Sequence, residues 1–172
     1  MRKGMRMSNL ISVIIVTDHK LLSEYLVSIL TTSDQITVPA VTQDQMDTLE
    51  QVKEHQPDVV LIDVHLPSSI AISITKQLTH NAPEVNILLL GIIESQTNLL
   101  EYVEAGAVGY VLKSSSPEDL KLALQLVARG ETMCSPQVAY ELFGHLADLA
   151  SSQHQHKSHE SLTLSPRELD IL

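Results

Sequence analysis

Three polar residues stand just beyond apolar runs: Asp18 after Val13–Val16, Asp63 after Val59–Ile62 and Lys113 after Val108–Leu112. Two carboxylates brought together at strand ends can hold a hard divalent cation, with backbone carbonyl, water and phosphoryl oxygens as the other ligands. A lysine beside them can neutralise a phosphoryl group placed on one of the carboxylates. A single aspartate after a strand is commonplace in turns. The weight therefore rests on three such residues at three strand ends, in order along the chain.

The elements that must position them alternate regularly. The apolar runs Val13–Val16, Val59–Ile62, Ile87–Leu90 and Val108–Leu112 read as strands buried on both faces. A weaker run, Ile36–Val41, contains Pro39, which cannot donate a ladder hydrogen bond and so belongs at a sheet edge. Between them lie helical stripes: Leu22, Leu26, Ile29 and Leu30; Met46, Leu49 and Val52; Ile70, Ile74 and Leu78; Leu99, Leu100 and Val103; Leu120, Ala123, Leu124 and Val127. Ser116-Pro117-Glu118-Asp119 caps the start of the fifth helix. Five strand–helix repeats predict an α/β fold, a doubly wound five-stranded parallel sheet in the order 2-1-3-4-5. Sites in such sheets form at the C-terminal strand ends near the switch between strands 1 and 3, where Asp18 and Asp63 fall.

Composition narrows the classes. Hydrophobic residues make up 44% of the 172, enough for a core, while aromatics at 3% leave that core to aliphatic side chains. A formal charge of −10 argues against a broad basic surface for nucleic acid. One cysteine, Cys134, rules out an internal disulfide, fits a cytoplasmic protein and reads as a buried structural thiol. The basic leader before Leu10–Val16 imitates a signal peptide but lacks a small-residue cleavage site. No run approaches the roughly 20 apolar residues of a membrane span, so no membrane partner is expected.

Several segments together resemble response-regulator receiver domains of the LuxR/NarL-type class. Val60-Leu61-Ile62-Asp63-Val64-His65-Leu66-Pro67 is similar to their phosphoacceptor segment, and Val16-Thr17-Asp18-His19 to their acidic pair. Glu104 to Lys113 resembles the stretch with the aromatic switch residue and the lysine. Gly130 to Pro136 and Leu162 to Glu168 look like the receiver exit and the opening of a LuxR-type helix-turn-helix domain. The resemblance implies that Asp63 accepts a phosphoryl group from a sensor histidine kinase and that Lys113 contacts the phosphoryl oxygens. It implies Mg2+ held by Asp18, Asp63 and the backbone carbonyl of His65, and reorientation of Tyr110 on activation. Such a chain is a phosphoacceptor rather than a turnover enzyme.

Two positions depart from that pattern. Thr17 replaces an acid, which removes a negative charge, weakens Mg2+ binding and leaves a hydroxyl that would reach the metal only through water. Gly91 stands where the family has Ser or Thr, so no hydroxyl follows the phosphoryl group. A hydrogen bond to a charged partner contributes about 1.5–3 kcal/mol, comparable with the roughly 1–3 kcal/mol of a conformational coupling. Ala71, where glycine is common, suggests an altered loop after the acceptor. Two readings follow: a phosphorylatable regulator with weakened switching, or an atypical phosphorylation-independent receiver acting as a protein-interaction module. A dehalogenase-type phosphatase is disfavoured because His65, not a second aspartate, lies two residues after Asp63. No G-x-G-x-x-G follows the first strand to bind a dinucleotide.

The expected organisation is a leader at 1–10, a receiver at 11–131, a linker helix at 132–150 starting at Ser135-Pro136, a polar linker at 151–161, and the truncated start of a helix-turn-helix domain at 162–172. DNA would then be bound only through a longer product. A homodimer would use the helix 4–strand 5–helix 5 face or helices 1 and 5. The histidines of the polar linker, His154, His156 and His159, read as solvated rather than as a metal site. His19 reads as a helix-start residue, and Glu101 and Glu104 as a solvated face.

Overall fold

A computed structural model describes residues 10–93, 99–132, 134–136, 138–145 and 147–148. Residues 1–9 of the leader expected at 1–10, the polar linker at 151–161 and the segment at 162–172 lie outside them. The chain divides into two units, Met1–Cys134 and Ser135–Leu172.

The first unit runs β1 (Ile11–Val16), α1 (Lys20–Thr31), β2 (Ile36–Thr42), α2 (Gln45–His55), β3 (Val59–Asp63), α3 (Ser68–Asn81), β4 (Asn86–Ile92), α4 (Leu99–Ala105), β5 (Gly109–Leu112) and α5 (Pro117–Ala128). The strands form one parallel sheet in the predicted order β2-β1-β3-β4-β5. Side chains alternate across it, as the strand period requires. Ile14, Val16, Val60, Ile62, Ile87 and Leu89 pack under α2, α3 and α4 with Val52, Ile74, Leu78 and Tyr102. Val13, Ile15, Val59, Leu61 and Leu88 pack on the other face with Leu26 and Leu30 of α1 and Leu124 and Val127 of α5. Both faces are covered, so the strands carry unbroken apolar runs.

Pro39 does lie on the edge strand. Its neighbourhood is irregular: Ser12 pairs with Thr37 but Ile14 with Ala40, so β2 carries one extra residue where the proline interrupts the ladder. The α5 start is as read: Ser116 and Asp119 form a reciprocal capping box with Pro117 in the first turn. His19 caps α1 by accepting from the Leu22 amide, and Glu101 and Glu104 are exposed.

Three helices turn differently from their expected stripes. In α2, Met46 is 84% exposed and Thr48 is inside instead. Thr48 is buried without penalty because its hydroxyl donates to the Asp44 carbonyl and lies 2.8 Å from the Thr42 hydroxyl. In α3, Ile70 faces outward while Ala71 and Thr75 join Ile74 and Leu78 in the core; the Thr75 hydroxyl is satisfied by the Ala71 carbonyl. Ala71 thus belongs to a helix rather than an altered loop, and its small side chain is what the core admits there. In α4 the buried residues are Tyr102 and Ala105, not Leu99, Leu100 and Val103. That helix ends at Gly106 (φ +111°), where a Cβ would lie 2.1 Å from the Thr79 hydroxyl.

Cys134 is exposed, contrary to the buried thiol expected from its residue type. The second unit opens with the anticipated helix start: the Ser135 hydroxyl and carbonyl accept from the amides of Val138 and Ala139.

Candidate functional site

Parallel register brings the candidate residues to one rim. Val16 pairs with Ile62, and Asp63 with Leu90, so the residues after β1, β3 and β4 emerge together at the C-terminal end of the sheet. Asp63 ends β3 and is only 2% exposed. A buried carboxylate must be hydrogen-bonded, and Asp63 accepts three bonds. The Thr17 hydroxyl donates to Oδ2 at 2.9 Å. The His65 amide lies 2.9 Å from Oδ1, and the His65 ring Nδ1 is also 2.9 Å from Oδ1. An ionised carboxylate only accepts, so Nδ1 carries the proton in that contact.

Thr17 itself is 1% exposed; its amide donates to the Thr42 carbonyl, and its oxygen accepts from the His19 amide. Its hydroxyl proton is therefore committed to Asp63, which leaves any contact with a metal-bound water to the remaining lone pair of its oxygen. His65 likewise brings its ring to the carboxylate, where only its backbone carbonyl had been assigned a part.

Gly91 lies across from His65. Leu90 pairs with Val111 but Ile92 with Leu112, which leaves Gly91 as the extra residue of a bulge in β4, with φ +88°. A Cβ on it would come within 2.9 Å of His65 Cε1 and 3.0 Å of Nδ1. Backbone conformation and ring position both demand glycine here.

Lys113, just past β5 with its amide bonded to the Ile92 carbonyl, lines the same cavity as Asp63, His65 and Gly91. The cavity holds about 240 Å³ and continues along α1 past Leu22 and Tyr25. Asp18 is exposed beyond Thr17 and is not among the residues lining that cavity. Tyr110 is half-buried and packs against the α2–α4 core. Two participants were not anticipated. One is the His65 ring, whose signal was present in the pairing of an Asp-x-His segment with a glycine at the end of the next strand. The other is Tyr102, whose hydroxyl is held above its ordinary pKa by burial first, then by Glu101 and by Asp63. Nothing in the sequence marked it.

The oxygen donors available suit a hard cation in kind. Among the described residues no three His, Cys, Asp or Glu side chains gather as a metal cluster. A cation here would depend on two carboxylates, with backbone and water oxygens completing its shell.

Comparison with known proteins is decisive for family. Residues 13–125 match the response regulator receiver domain. The chain belongs to the response-regulator receiver family. The chain is 29% identical over 166 residues to the transcriptional regulatory protein LnrK of Bacillus subtilis, covering 95% of this chain and 76% of that one. It is also 29% identical over 162 residues to the oxygen regulatory protein NreC of Staphylococcus epidermidis, covering 93% and 74%. A LuxR-family two-component response regulator from Aurantimonas superposes with a TM-score of 0.68 at 27% identity, over 80% of this chain and 99% of that one. This is a two-component response regulator receiver of the LuxR/NarL type. Receiver domains of the family generally bind Mg2+ at the acidic phosphorylation site. Regulators of this kind interact with histidine kinases and bind DNA through an output domain. No described helix is long and apolar enough to cross a membrane.

Proposed function

We propose that Asp63 is the phosphoacceptor of a cytoplasmic two-component response regulator whose switch chemistry is weakened. The observation that carries this reading is the shared cavity: the Asp63 carboxylate and Lys113 line one space large enough for a phosphoryl group. In the transfer, an Asp63 oxygen forms a bond to phosphorus while the donor's N–P or acyl O–P bond breaks, the electron pair leaving with imidazole or acetate. Lys113 compensates charge on the phosphoryl oxygens. Asp18, Asp63 and the His65 carbonyl are the residues that would hold Mg2+, with Thr17 contributing only through water. When bound, Mg2+ neutralises phosphoryl charge. Three features support the weakening: Thr17 supplies no charge, its proton is given to Asp63, and Gly91 has no hydroxyl to follow the phosphoryl group toward Tyr110.

The partners of this reading are a sensor histidine kinase and, through an output domain beginning near 162, DNA. A receiver over 11–131 followed by a linker helix at 132–150 is part of this reading; the boundary between units falls at Cys134 and Ser135 and the helix begins at Pro136, a few residues later than that division. Homodimerisation belongs to the same proposal. A second reading, a phosphorylation-independent interaction module, is favoured by one observation: both Asp63 oxygens already accept protein donors. Incubation with Mg2+ and acetyl phosphate, followed by intact-mass measurement, separates the two. A gain of one phosphoryl group that is abolished in Asp63→Asn is expected; an unmodified chain, under conditions that modify an ordinary receiver, leaves the second reading.

A further inference from the structure

In the reading above His65 lends only its carbonyl, yet its ring touches the acceptor. We propose that the His65 imidazole is a stopper on the Asp63 carboxylate, and that Gly91 is glycine because this ring needs the room. The inference rests on Asp63 being the phosphoacceptor, and it assigns to that site a residue that restricts which donors reach it.

A carboxylate oxygen forms a bond to phosphorus through a lone pair aimed along the line of the leaving group. Oδ2 accepts from Thr17, and Oδ1 accepts from two donors of His65. The amide of His65 is fixed by the turn, where the Val64 amide bonds to the Leu90 carbonyl and the Leu66 amide to the Asp63 carbonyl. The ring is not fixed in that way. Its side chain is 51% exposed, so a rotation about its own side-chain bonds carries it into water without unpacking a core. Phosphotransfer through Oδ1 requires that rotation, because the ring nitrogen stands within 2.9 Å of the attacking atom.

Gly91 completes the device. Its bulge and positive φ hold the end of β4 so that the backbone, with no Cβ, lies beneath the ring. A serine or threonine there would occupy the ring's seat. The absent switch hydroxyl and the presence of His65 are thus one exchange: the ring took the place that the hydroxyl would have filled. A small donor must wait for the ring to leave, whereas a protein partner pressing on the turn at residues 64–67 could hold it away.

The test compares initial rates of phosphorylation of the 172-residue chain by acetyl phosphate with Mg2+, by time-resolved intact mass. The chains are wild type, His65→Ala, His65→Ser and Asp63→Asn, each first confirmed as folded by circular dichroism. His65→Ser guards against a folding failure of His65→Ala. Either His65 variant should be modified about three- to tenfold faster than wild type, the range that loss of one half-exposed, solvent-screened hydrogen bond opens, and Asp63→Asn not at all. Equal or slower rates in the His65 variants, with Asp63 still modified, overturn the stopper alone. His65 variants that stay unmodified overturn the stopper and the phosphoacceptor reading together.

Discussion

Replacing Gly91 by serine in the presence and absence of the His65 ring measures how tightly those two positions are joined. The first cost is conformational. At φ +88° an L-residue occupies a sparsely populated region, worth about 1–3 kcal/mol. The second is steric: the new Cβ would sit 2.9 Å from Cε1 and 3.0 Å from Nδ1 of His65, so the ring must vacate. It then loses its bond to Asp63; because the ring is half exposed, water recovers part of that loss, and about 1 kcal/mol is the appropriate size. Gly91→Ser should therefore destabilise by about 2–4 kcal/mol, and His65→Ala by about 0.5–1.5 kcal/mol. With the ring already gone, the new Cβ keeps Val64 Cγ2 at the ordinary distance of 3.8 Å, and the backbone cost is what is left. The double variant should be more stable than the sum of the singles by about 1 kcal/mol. Urea unfolding of the four chains, analysed by linear extrapolation with matched slopes, gives the coupling. Additivity within about 0.5 kcal/mol would refute the interlock.

Other outcomes follow from the same geometry. Thr17→Asp sets a second carboxylate beside Asp63, where the hydroxyl now lies 2.9 Å away. Without a cation it should destabilise by about 3–5 kcal/mol as an uncompensated buried charge, and its Tm should rise with Mg2+ far more than that of wild type; equal Mg2+ responses would refute this. Gly106→Ala meets the Thr79 hydroxyl at 2.1 Å with φ +111°, so a loss of about 2–4 kcal/mol in urea unfolding is expected and one below about 1 kcal/mol would count against it. Tyr102 has a raised pKa in the folded chain, so the stability it contributes is intact below its ordinary value of 10.0 and declines as pH climbs from there toward the folded value. Tyr102→Phe should flatten that alkaline decline in unfolding measured across a pH series, and an unchanged slope would contradict the assignment.

Strand order, helix number and the rim on which the site forms were legible because they depend on patterns that tertiary contacts only reinforce. Val13–Val16 and Val59–Ile62 are apolar without interruption because both sheet faces are covered, and Pro39 could lie only where a ladder bond was dispensable. Helix rotation was less legible. Met46 and Ile70 match an apolar stripe, yet Thr48 and Thr75 took the core positions because each hydroxyl bonds the carbonyl four residues earlier, a satisfaction that residue type alone conceals. Exposure of Cys134 had no sequence signal against the general tendency of free thiols to be buried. The placement of Asp63, Gly91 and Lys113 around one cavity was readable. The reason for Gly91 was not, because it depends on a ring from the preceding β3–α3 turn crossing to the neighbouring strand. Thr17 was read as a missing charge; the proton it gives Asp63 had no sequence signal.

The most direct test of phosphoacceptance at Asp63 is a crystal structure of the chain with beryllofluoride and Mg2+. Beryllium bound to an Asp63 oxygen, Lys113 against a fluorine and the His65 ring turned outward from the carboxylate is the expected result. An Asp63 that still holds Thr17 and His65, with no beryllium density at saturating ligand, would contradict the proposed chemistry.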